Sequence, residues 1–269
     1  MECILITNDI DTAKYAQDCG VDRIMVDLEI KGKMERQGHL DTLISKHTLQ
    51  DVEKIRNVLT TSKLQVRINP YDNESPKEII DVINTGADIL MLPMFETASE
   101  VENFINITDK KITTSLLLET APALSRIDNI LDCNGIDEIH IGLNDLHLQL
   151  KLKFMFELLS GGLVEFLSQK ITRKGIKFGF GGIARIGGGL LDSSLILSEH
   201  KRLNSEVVIL SRDFTGGATK YKDLIKKVDL KAEVLKTKEY INSLDLLTTE
   251  DLLENKKMLC DKINTIILS

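Results

Sequence analysis

The sequence contains no tryptophan and only four prolines, and its four cysteines lie far apart without a CxxC pair. Zinc-binding and redox-active cysteines usually occur at such short spacings, so the sequence predicts neither kind of site. No hydrophobic run approaches the roughly 20 residues that a helix needs to cross a bilayer. The first residues also lack a basic leader followed by a long apolar stretch. We therefore expect a cytoplasmic protein without a membrane segment.

Acidic residues outnumber basic residues. The 269 residues include 34 Lys and Arg against 41 Asp and Glu, which gives a formal net charge of −7. This balance argues against nucleic acids and anionic membranes as main partners. Hydrophobic residues make up 42% of the chain and charged residues 28%, proportions typical of a soluble protein with a large core. The length suits one or two domains, and α/β barrels of about 250 residues form a single domain.

Short apolar runs alternate with amphipathic segments along most of the chain, a pattern typical of repeated βα units. Eight runs have the length and composition of buried strands: CILIT, RIMVDLE, LQVRIN, DILMLPMF, TTSLLLE, EIHIGL, KFGFGGIA and EVVILS. Continuous apolar strands are typical of parallel sheets that helices cover on both faces. The sequence therefore predicts a (β/α)8 TIM barrel that occupies residues 1–269 as one domain. A doubly wound open sheet is the alternative.

Two long amphipathic segments follow the last predicted strand, and together they contain more helix than a single βα repeat needs. We assign residues 220–269 to a C-terminal helical extension of the barrel. The apolar faces of these helices must be covered. They can pack beneath their own barrel or on a neighbouring subunit, and we expect a homo-oligomer formed through this region.

Polar residues follow the apolar core of five predicted strands. In a parallel barrel the carboxyl ends of the strands and the loops after them form the active face, so polar residues there are candidates for function. In strand order from the second to the sixth, the candidates are Asp27 and Glu29, Arg67 and Asn69, Glu96, Glu119, and Asn144 and Asp145. They form a ring of acidic residues that contains one arginine.

Carboxylates gathered at one barrel mouth repel one another unless protons or a cation compensate their charge. Their oxygens are suitable ligands for hard divalent ions such as Mg²⁺ or Mn²⁺. Glu119 and Asp145 follow adjacent strands, and we predict that they bind such an ion. The alternative is that these acids cap the following helices or pair with nearby bases. That alternative competes with a substrate-binding role for Glu96, since ETASE is also typical of a helix start.

Arg67 interrupts an otherwise apolar strand. A guanidinium among carboxylates can hold the acidic ring together, or it can bind a planar substrate carboxylate through two hydrogen bonds. We predict the substrate role for Arg67. The spacing of Asp27 and Glu29 places both side chains on one side of an extended strand, which makes them candidates for catalysis beside Arg67.

Glycine is concentrated at the end of the seventh predicted strand, in the segment FGFGGIARIGGGLL. Barrels often bind phosphate after the seventh and eighth strands, where backbone amides can approach an anion closely. Gly181, Gly182 and Arg185 form a candidate phosphate loop on this basis. Tight turns explain the same glycines, and the spacing matches neither a P-loop nor a dinucleotide-binding fingerprint. His147 is a candidate acid or base, with a surface or capping role as the alternative.

Five segments resemble the HpcH/HpaI aldolase and citrate lyase β-subunit superfamily, whose members are (β/α)8 barrels of the pyruvate and phosphoenolpyruvate type. They are GVDRIMVDLE, VRINP, GADILMLPMFETASEV, LLLETAPAL and IGLNDL, in the expected order. The resemblance implies that Glu119 and Asp145 bind Mg²⁺ or a similar divalent ion such as Mn²⁺ or Co²⁺. It also implies that Arg67 holds the carboxylate and oxo group of a pyruvate-like substrate, with backbone amides near Gly142 and Asn144 contacting that carboxylate.

The reaction that this resemblance implies is reversible carbon–carbon bond cleavage. The ion and Arg67 would stabilise the enolate of pyruvate or an acyl equivalent while the bond to an aldehyde or keto acid breaks. A keto acid, or a sugar-acid-like or phosphorylated compound, is the implied substrate.

One residue departs from the superfamily pattern. A histidine or an aspartate follows the acid that matches Glu29 in that superfamily, whereas this chain has Ile30 there. Glu29, a metal-bound water or His147 are the candidates to transfer the proton instead. Three residues of the polar insert after the second strand are candidates to complete the pocket: Lys33, Glu35 and Arg36.

Two other functions compete with a carbon–carbon lyase. The first is a non-catalytic or regulatory barrel that retained the ligand site, lost its base at Ile30, and binds a keto acid or a partner enzyme. The second is phosphoryl transfer that uses the glycine-rich loop. Exchange of pyruvate methyl protons with solvent distinguishes the lyase from the first, and phosphate release identifies the second.

Overall fold

A closed barrel of eight parallel strands organises the computed structural model, which describes residues 1–32 and 47–268. The strands are β1 (Glu2–Ile6), β2 (Arg23–Asp27), β3 (Lys63–Arg67), β4 (Ile89–Leu92), β5 (Thr113–Leu118), β6 (Glu138–Ile141), β7 (Lys177–Ile183) and β8 (Val207–Leu210). They follow one another around the barrel in chain order, and β1 closes the ring by pairing with β8. The predicted (β/α)8 barrel is confirmed, and the open doubly wound sheet is excluded.

Helices alternate with these strands and cover the outside of the barrel. They are α1 (Ile10–Asp18), α2 (Leu49–Arg56), α3 (Ser75–Asn84), α4 (Ala98–Thr108), α5 (Ala121–Ser125), α6 (Ile127–Leu131), α7 (Leu143–Gln149), α8 (Glu157–Ser160), α9 (Leu163–Arg173), α10 (Ser193–Arg202), α11 (Tyr221–Lys227), α12 (Leu230–Ser243) and α13 (Thr249–Leu268). Reciprocal capping boxes begin α2, at Thr48 and Asp51, and α4, at Thr97 and Glu100. Within the described ranges, no helix is both long and apolar enough to cross a membrane.

Hydrophobic side chains pack in two regions. The larger core fills the space between the strands and the surrounding helices, whereas a smaller cluster fills the inside of the barrel. The smaller cluster consists of Ile4, Met25, Met91, Leu117 and Val207. Alternate residues of a strand point to the same side, so residues two positions after Met25 and Leu117 also point toward the barrel axis. Those residues are Asp27 and Glu119, and their position on the strands places them at the carboxyl end.

A buried ion-pair network closes the opposite end of the barrel. Arg23 donates two hydrogen bonds to Glu138, at 2.9 and 2.7 Å, and another to Gln65 at 3.1 Å. Arg23 also pairs with Glu2, and Ser115 donates to Glu138 at 3.0 Å. Arg23 and Glu138 are only 1% and 2% exposed. Each charge therefore depends on its protein partners, since water does not compensate it.

The C-terminal helices pack on the barrel of their own chain. α13 lies along α10 and also contacts α8. It buries Leu259 and Ile263, and Asn255 Nδ2 donates to Ser198 Oγ at 3.0 Å. The outward side of α13 leaves other apolar residues exposed, including Leu253. The homo-oligomer expected through this region remains a prediction.

Candidate active site

The arginine at the end of β3 is held by an aspartate at the end of β2. Arg67 lies opposite Asp27 in the register of the two strands. Arg67 Nε donates to Asp27 Oδ1 and Arg67 Nη2 donates to Asp27 Oδ2, both at 2.8 Å. Two parallel hydrogen bonds fix the orientation of both groups. Among residues 1–32 and 47–268, the hydrogen bonds of the Arg67 side chain come from Nε and Nη2.

Two further carboxylates surround Arg67. Arg67 Nη2 lies 3.5 Å from Glu29 Oε2. Burial by itself would lower the pKa of the Arg67 guanidinium, but the charges of Asp27, Glu29 and Glu119 raise that pKa above its ordinary value. All three acids are buried. The structure thus brings four of the predicted site residues together at the carboxyl end of the barrel.

Glu119 occupies a tight space between β5 and the start of α7. Its Oε1 accepts a hydrogen bond from the backbone N–H of Met94 at 3.3 Å. A Cβ atom built on Gly142 would lie 2.7 Å from Glu119 Cβ and 2.8 Å from Glu119 Oε2. The backbone N–H of Gly142 continues the pairing of β6 with β5 by donating to the Leu118 carbonyl at 2.9 Å. Only glycine at position 142 lets the Glu119 carboxylate keep this place beside the strand end.

Asn144 and Asp145 closely follow Gly142 in the chain. Both belong to the first turn of α7, which begins directly after Gly142. Asp145 is half-buried, and Asn144 is exposed. Because β5 and β6 are neighbours, Glu119 and this first turn occupy the same sector of the barrel mouth. His147, on the same helix, bonds through Nδ1 to the carbonyl of Leu143 at 3.2 Å.

Glu96 lies outside the acidic cluster. Its side chain is exposed, and no hydrogen bond or ion pair within residues 1–32 and 47–268 joins it to Arg67. The cap of α4 comes from the following residue, Thr97, together with Glu100. The carboxylate of Glu96 is therefore exposed and is not the helix cap that ETASE also suggested.

Asn69 holds the chain that leaves β2. Its Oδ1 accepts hydrogen bonds from the backbone N–H groups of Ile30 and Lys31, at 3.0 and 3.1 Å. Its Nδ2 donates to Glu78 Oε1 at 2.8 Å. The Ile30 residue positioned in this way is 55% exposed. Three predicted pocket residues lie outside the described residues: Lys33, Glu35 and Arg36.

The glycine-rich segment contains a β-bulge. Gly179 lies opposite Val207 and Gly182 lies opposite Ile209, so β7 has one more residue than β8 over this stretch. Gly181 has a φ of +47°, which favours glycine. A Cβ atom at Gly181 would also lie 2.7 Å from Leu143 Cδ1. The bulge and its packing are therefore sufficient to account for this glycine.

Arg185 already binds a carboxylate of its own chain. Its Nε and Nη2 donate to Asp213 at 3.0 and 2.9 Å, and its backbone N–H donates to the same carboxylate at 2.9 Å. An incoming phosphate would compete with Asp213 for these groups. The phosphate loop at Gly181, Gly182 and Arg185 remains a prediction, with turn packing as its alternative.

His140 supports the bulge of β7 from inside the barrel, a role that sequence reasoning missed. Its Nε2 lies 3.0 Å from the Gly181 carbonyl oxygen, so a neutral imidazole donates there. A Cβ atom on Gly179 would lie 2.9 Å from His140 Nδ1. Burial lowers the pKa of His140 to about 4, which keeps the ring neutral near pH 7. The glycines of β7 are visible in the sequence, but only the strand register shows that His140 packs against them.

His47 is a second histidine whose position the sequence did not reveal. The backbone N–H of Asp27 donates to His47 Nδ1 at 2.9 Å. The two residues lie 20 positions apart in the sequence, on either side of the polar insert. No strand or helix periodicity connects such positions, so only the folded chain brings them together.

The family profile described as HpcH/HpaI aldolase/citrate lyase matches residues 5–157, which is more than half of the chain. The chain belongs to this family. The matched region of this HpcH/HpaI family member contains Arg67, Asp27, Glu29, Glu119 and Asp145 and ends before β7.

A curated relative shares part of this region. The 2-keto-3-deoxy-L-rhamnonate aldolase of Shigella dysenteriae serotype 1 (strain Sd197) is 25% identical over 136 residues, or 39% of this chain and 50% of the relative. The HpcH/HpaI family member therefore spans about half the length of the curated relative that it matches.

Solved structures share the fold of this family member. The HpcH/HpaI aldolase from Desulfitobacterium hafniense DCB-2 aligns with a TM-score of 0.62 at 15% identity, covering 92% of this chain and 93% of that one. An HpcH/HpaI aldolase/citrate lyase family protein from Burkholderia cenocepacia J2315 has a TM-score of 0.62 at 13% identity, covering 91% and 94%. RipC from Yersinia pestis has a TM-score of 0.58 at 15% identity, covering 94% and 98%.

Proposed function

We propose that this protein is a divalent-metal-dependent carbon–carbon lyase of the aldolase type, which forms or cleaves a bond to a pyruvate-like enolate. The observation that carries the proposal is the position of Arg67 among three buried carboxylates at the carboxyl end of the barrel. In barrels of this type, that end is where catalysis takes place. Membership in a family of aldolases and citrate lyases supports this reaction class.

The side chains around Arg67 have distinct roles in this proposal. Asp27 holds Nε and Nη2 of the guanidinium, which leaves Nη1 to bind the carboxylate and oxo group of the substrate. Glu29 lies beside Nη2 and contributes negative charge that keeps Arg67 in place. Backbone amides near Gly142 and Asn144 bind the substrate carboxylate. Glu96, at the exposed rim, contacts the distal part of the substrate.

Glu119 and Asp145 are the residues that would hold Mg²⁺, or Mn²⁺ or Co²⁺ in its place. Both supply carboxylate oxygens, which such ions prefer. The absence of a side chain at Gly142 lets the Glu119 carboxylate keep its position, since a Cβ atom there would lie only 2.8 Å from Glu119 Oε2. Among the described residues, no three His, Cys, Asp or Glu side chains form a metal-binding group, so substrate or water oxygens would complete the ligand set. When bound, the ion would polarise the substrate oxo group as a Lewis acid.

Exchange of pyruvate methyl protons into deuterated water tests the proposal directly. Enolisation of pyruvate needs only the part of the proposed site that binds pyruvate, which contains Arg67 and the two carboxylates that would hold the ion. We expect NMR to show exchange that requires added Mg²⁺, Mn²⁺ or Co²⁺, and condensation of pyruvate with members of a panel of aldehydes and keto acids. If none of the three ions supports exchange or condensation, the lyase proposal is wrong.

Replacing Glu119 with glutamine should weaken metal binding severely. Loss of residues that only orient a ligand already costs about 10- to 100-fold in affinity, so loss of a direct carboxylate ligand should exceed about 100-fold. Asp145→Asn should behave in the same way, whereas Glu102→Gln on the exposed side of α4 should bind like the wild type. Isothermal titration with Mn²⁺ measures the affinities, and circular dichroism checks that the barrel is folded. Equal Mn²⁺ affinity in all four proteins would contradict the assigned ligands.

Replacing Gly142 with alanine should displace the Glu119 carboxylate without removing any charge. The new methyl group would lie 2.7 Å from Glu119 Cβ, so one of the two must move. Overpacking of this kind costs about 1–3 kcal/mol of stability, and we expect Mn²⁺ affinity and pyruvate exchange to fall at least about tenfold. Gly161→Ala is the control, since its methyl group would meet only the Glu157 carbonyl at 3.0 Å, away from the strand ends of the mouth. Unchanged Mn²⁺ affinity in Gly142→Ala would show that Glu119 does not depend on this space.

The substrate that we propose is a small keto acid or a sugar-acid-like compound. The matched relative is named as an aldolase for 2-keto-3-deoxy-L-rhamnonate, a keto acid with a sugar-like chain. Arg67 can bind the keto-acid end that such compounds share with pyruvate. We also propose that residues 1–269 form one domain and that the protein acts as a homo-oligomer. A phosphorylated substrate receives no support from Arg185, since Asp213 binds its guanidinium.

A second candidate function is ligand binding without catalysis. The exposed apolar side chain of Ile30 favours it, because this position in the resembling superfamily holds a residue that can transfer a proton. A binding protein would retain metal-dependent affinity for oxalate, measurable by calorimetry, yet would exchange no methyl protons of pyruvate. Measurable exchange would exclude this alternative.

A further inference from the structure

Asn69 continues the contact between β2 and β3 beyond the ends of the two strands. The N–H of Leu28, the residue after β2, donates to the Arg67 carbonyl at 2.8 Å. In a regular parallel ladder the next amide of this chain that faces β3 belongs to Ile30. That amide donates to the side-chain oxygen of Asn69 at 3.0 Å, and the Lys31 N–H donates to the same Oδ1 at 3.1 Å. A side chain therefore takes the place of a strand carbonyl.

Glu29 lies between the peptide groups that these bonds hold. Its own N–H donates to Asp27 Oδ1 at 3.2 Å, and the next two N–H groups along the chain donate to Asn69. Glu29 is 2% exposed, and its Oε2 lies 3.5 Å from Arg67 Nη2. Because the backbone is held on both sides, Asn69 helps to fix the point from which the Glu29 carboxylate reaches Arg67.

Glu78, in the first turn of α3, determines which way the Asn69 amide faces. Asn69 Nδ2 donates to Glu78 Oε1 at 2.8 Å, and the Asn69 backbone N–H donates to the same carboxylate at 3.3 and 3.4 Å. A reversed amide would turn its oxygen toward a carboxylate and its NH2 group toward two N–H donors, so these side-chain contacts would become repulsive. The carboxylate therefore selects the orientation in which Oδ1 faces the chain after Glu29.

We propose that Asn69 is a positioning residue of the proposed active site, which holds Glu29 against Arg67 while Glu78 holds the Asn69 amide. This inference rests on the proposed lyase function. A displaced Glu29 changes the charge around the guanidinium that binds the keto-acid end of the substrate. Displacement of a functional group by about 1 Å can cost about 100-fold in rate. Asn69 acts through the backbone of the two residues after Glu29.

Exchanging donor and acceptor between the two side chains separates this role from general support of the fold. Asn69→Asp retains an acceptor for both N–H groups, but it places a second carboxylate oxygen where Nδ2 meets Glu78. Two carboxylates at this distance repel each other when both are ionised, so the pair shares a proton that is lost as the pH rises. The other charges that act on Glu78, Lys31 and Asp72, have opposite signs. Adding Glu78→Gln supplies an amide that donates to the new carboxylate and restores the hydrogen bond.

Lys31→Met is the matched control. Lys31 Nζ pairs with Asp72 and Glu74, both at 2.6 Å, and therefore joins the same two loops as Asn69. All three side chains are at least 39% exposed. Ion pairs exposed in this way contribute little, so we expect kcat/KM of this variant to stay within about twofold of the wild type.

The experiment compares the wild type, Asn69→Asp, Glu78→Gln and the double variant, each with Mn²⁺, in pyruvate proton exchange and condensation. At about pH 8 we expect Asn69→Asp to lose at least about tenfold in kcat/KM, and to lose less at about pH 6, where the shared proton is present. Glu78→Gln and the double variant should stay within about threefold of the wild type at both pH values. The Mn²⁺ affinity should stay within about twofold, because Glu119 and Asp145 follow other strands. Urea unfolding measures the stability of each variant.

Three results would overturn the role of Asn69 and leave the lyase function intact. Wild-type kcat/KM for Asn69→Asp at both pH values, with a loss of stability alone, would show that Asn69 only supports the fold. A double variant as inactive as Asn69→Asp would remove the orienting role of Glu78. Equal damage in Lys31→Met would show that the connection between the loops, and not the position of Glu29, affects activity.

Failure of the lyase function would be evident in the wild type. If the wild type neither exchanges pyruvate protons nor condenses, calorimetric titration with oxalate in the presence of Mn²⁺ replaces the kinetic measurement. A loss of oxalate affinity of at least about tenfold in Asn69→Asp at about pH 8, reversed in the double variant, supports the positioning role at a ligand site without catalysis. Equal oxalate affinity in both variants and the wild type overturns it.

Discussion

An Arg67→Met variant should lose about 10²- to 10³-fold in kcat/KM for pyruvate condensation, since removing one partner of a buried, hydrogen-bonded charge pair costs about 2–5 kcal/mol. The loss has two sources. In the proposed function the substrate carboxylate loses its guanidinium partner, and Asp27 loses the two hydrogen bonds that orient it. Methionine has a similar length, so the effect reports charge and hydrogen bonding more than packing.

An Arg67→Lys variant separates charge from geometry. Lysine keeps a positive charge near Asp27 and Glu29, but it cannot form the two parallel hydrogen bonds of a guanidinium. We expect the lysine variant to fold normally. Its KM should rise more than its kcat falls, because binding of the substrate carboxylate depends on the two parallel N–H groups of the guanidinium. Steady-state kinetics and urea unfolding measure both effects. A methionine variant with wild-type kcat/KM would remove Arg67 from the site and refute the function proposed above.

Arg23→Met should destabilise the folded protein by about 3–5 kcal/mol, the usual cost of leaving a buried charge unpaired. Arg23 donates to both oxygens of Glu138, and both residues are almost completely buried. Removing the arginine leaves the Glu138 carboxylate uncompensated in the barrel interior, at the end opposite the candidate active site. Urea unfolding monitored by circular dichroism measures the loss of stability.

A double variant tests the cause of this loss. Replacing Glu138 with leucine in the Arg23→Met background removes the uncompensated carboxylate, so we expect most of the lost stability to return. Lys77→Met is the control, because its ion pair with Asp81 is at the surface and contributes at most about 1 kcal/mol. A double variant as unstable as Arg23→Met would show that the guanidinium stabilises the barrel through packing and not through charge compensation.

The dependence of stability on acidic pH should also change in Arg23→Met. Burial by itself would raise the pKa of Glu2, but Arg23 and Lys177 lower it to about 2 from its ordinary 4.5. A lowered folded-state pKa stabilises the protein above the unfolded-state pKa, and the gain disappears as the pH falls toward 2. We therefore expect Arg23→Met to lose less stability than the wild type between pH 4.5 and 2, in urea titrations at several pH values.

Much of the architecture follows from local patterns. Eight apolar runs separated by amphipathic segments were sufficient to predict the barrel, since side-chain alternation and helix periodicity are properties of neighbouring residues. The same rule indicated that the acids following these runs lie at one end. Capping residues are equally local, as Thr97 and Glu100 at the start of α4 illustrate.

Sequence patterns did not decide how the candidate residues pair. Arg67 could hold acids or bind substrate, and the structure shows that Asp27 occupies two of its nitrogens. The place of Glu119 depends on the missing side chain at Gly142, which follows a different strand. Such contacts depend on the stagger of neighbouring strands around a closed barrel, and composition does not encode that stagger visibly.

By itself, the sequence determined that this chain forms a (β/α)8 barrel, that acids and one arginine follow its strands, and that it resembles pyruvate-type aldolases. Only the tertiary structure placed Arg23 against Glu138 and docked His47 on Asp27. The physical reason is the distance along the sequence over which each kind of contact acts. Periodicity and capping act over a few residues, whereas these pairs join positions that come together only in the folded barrel.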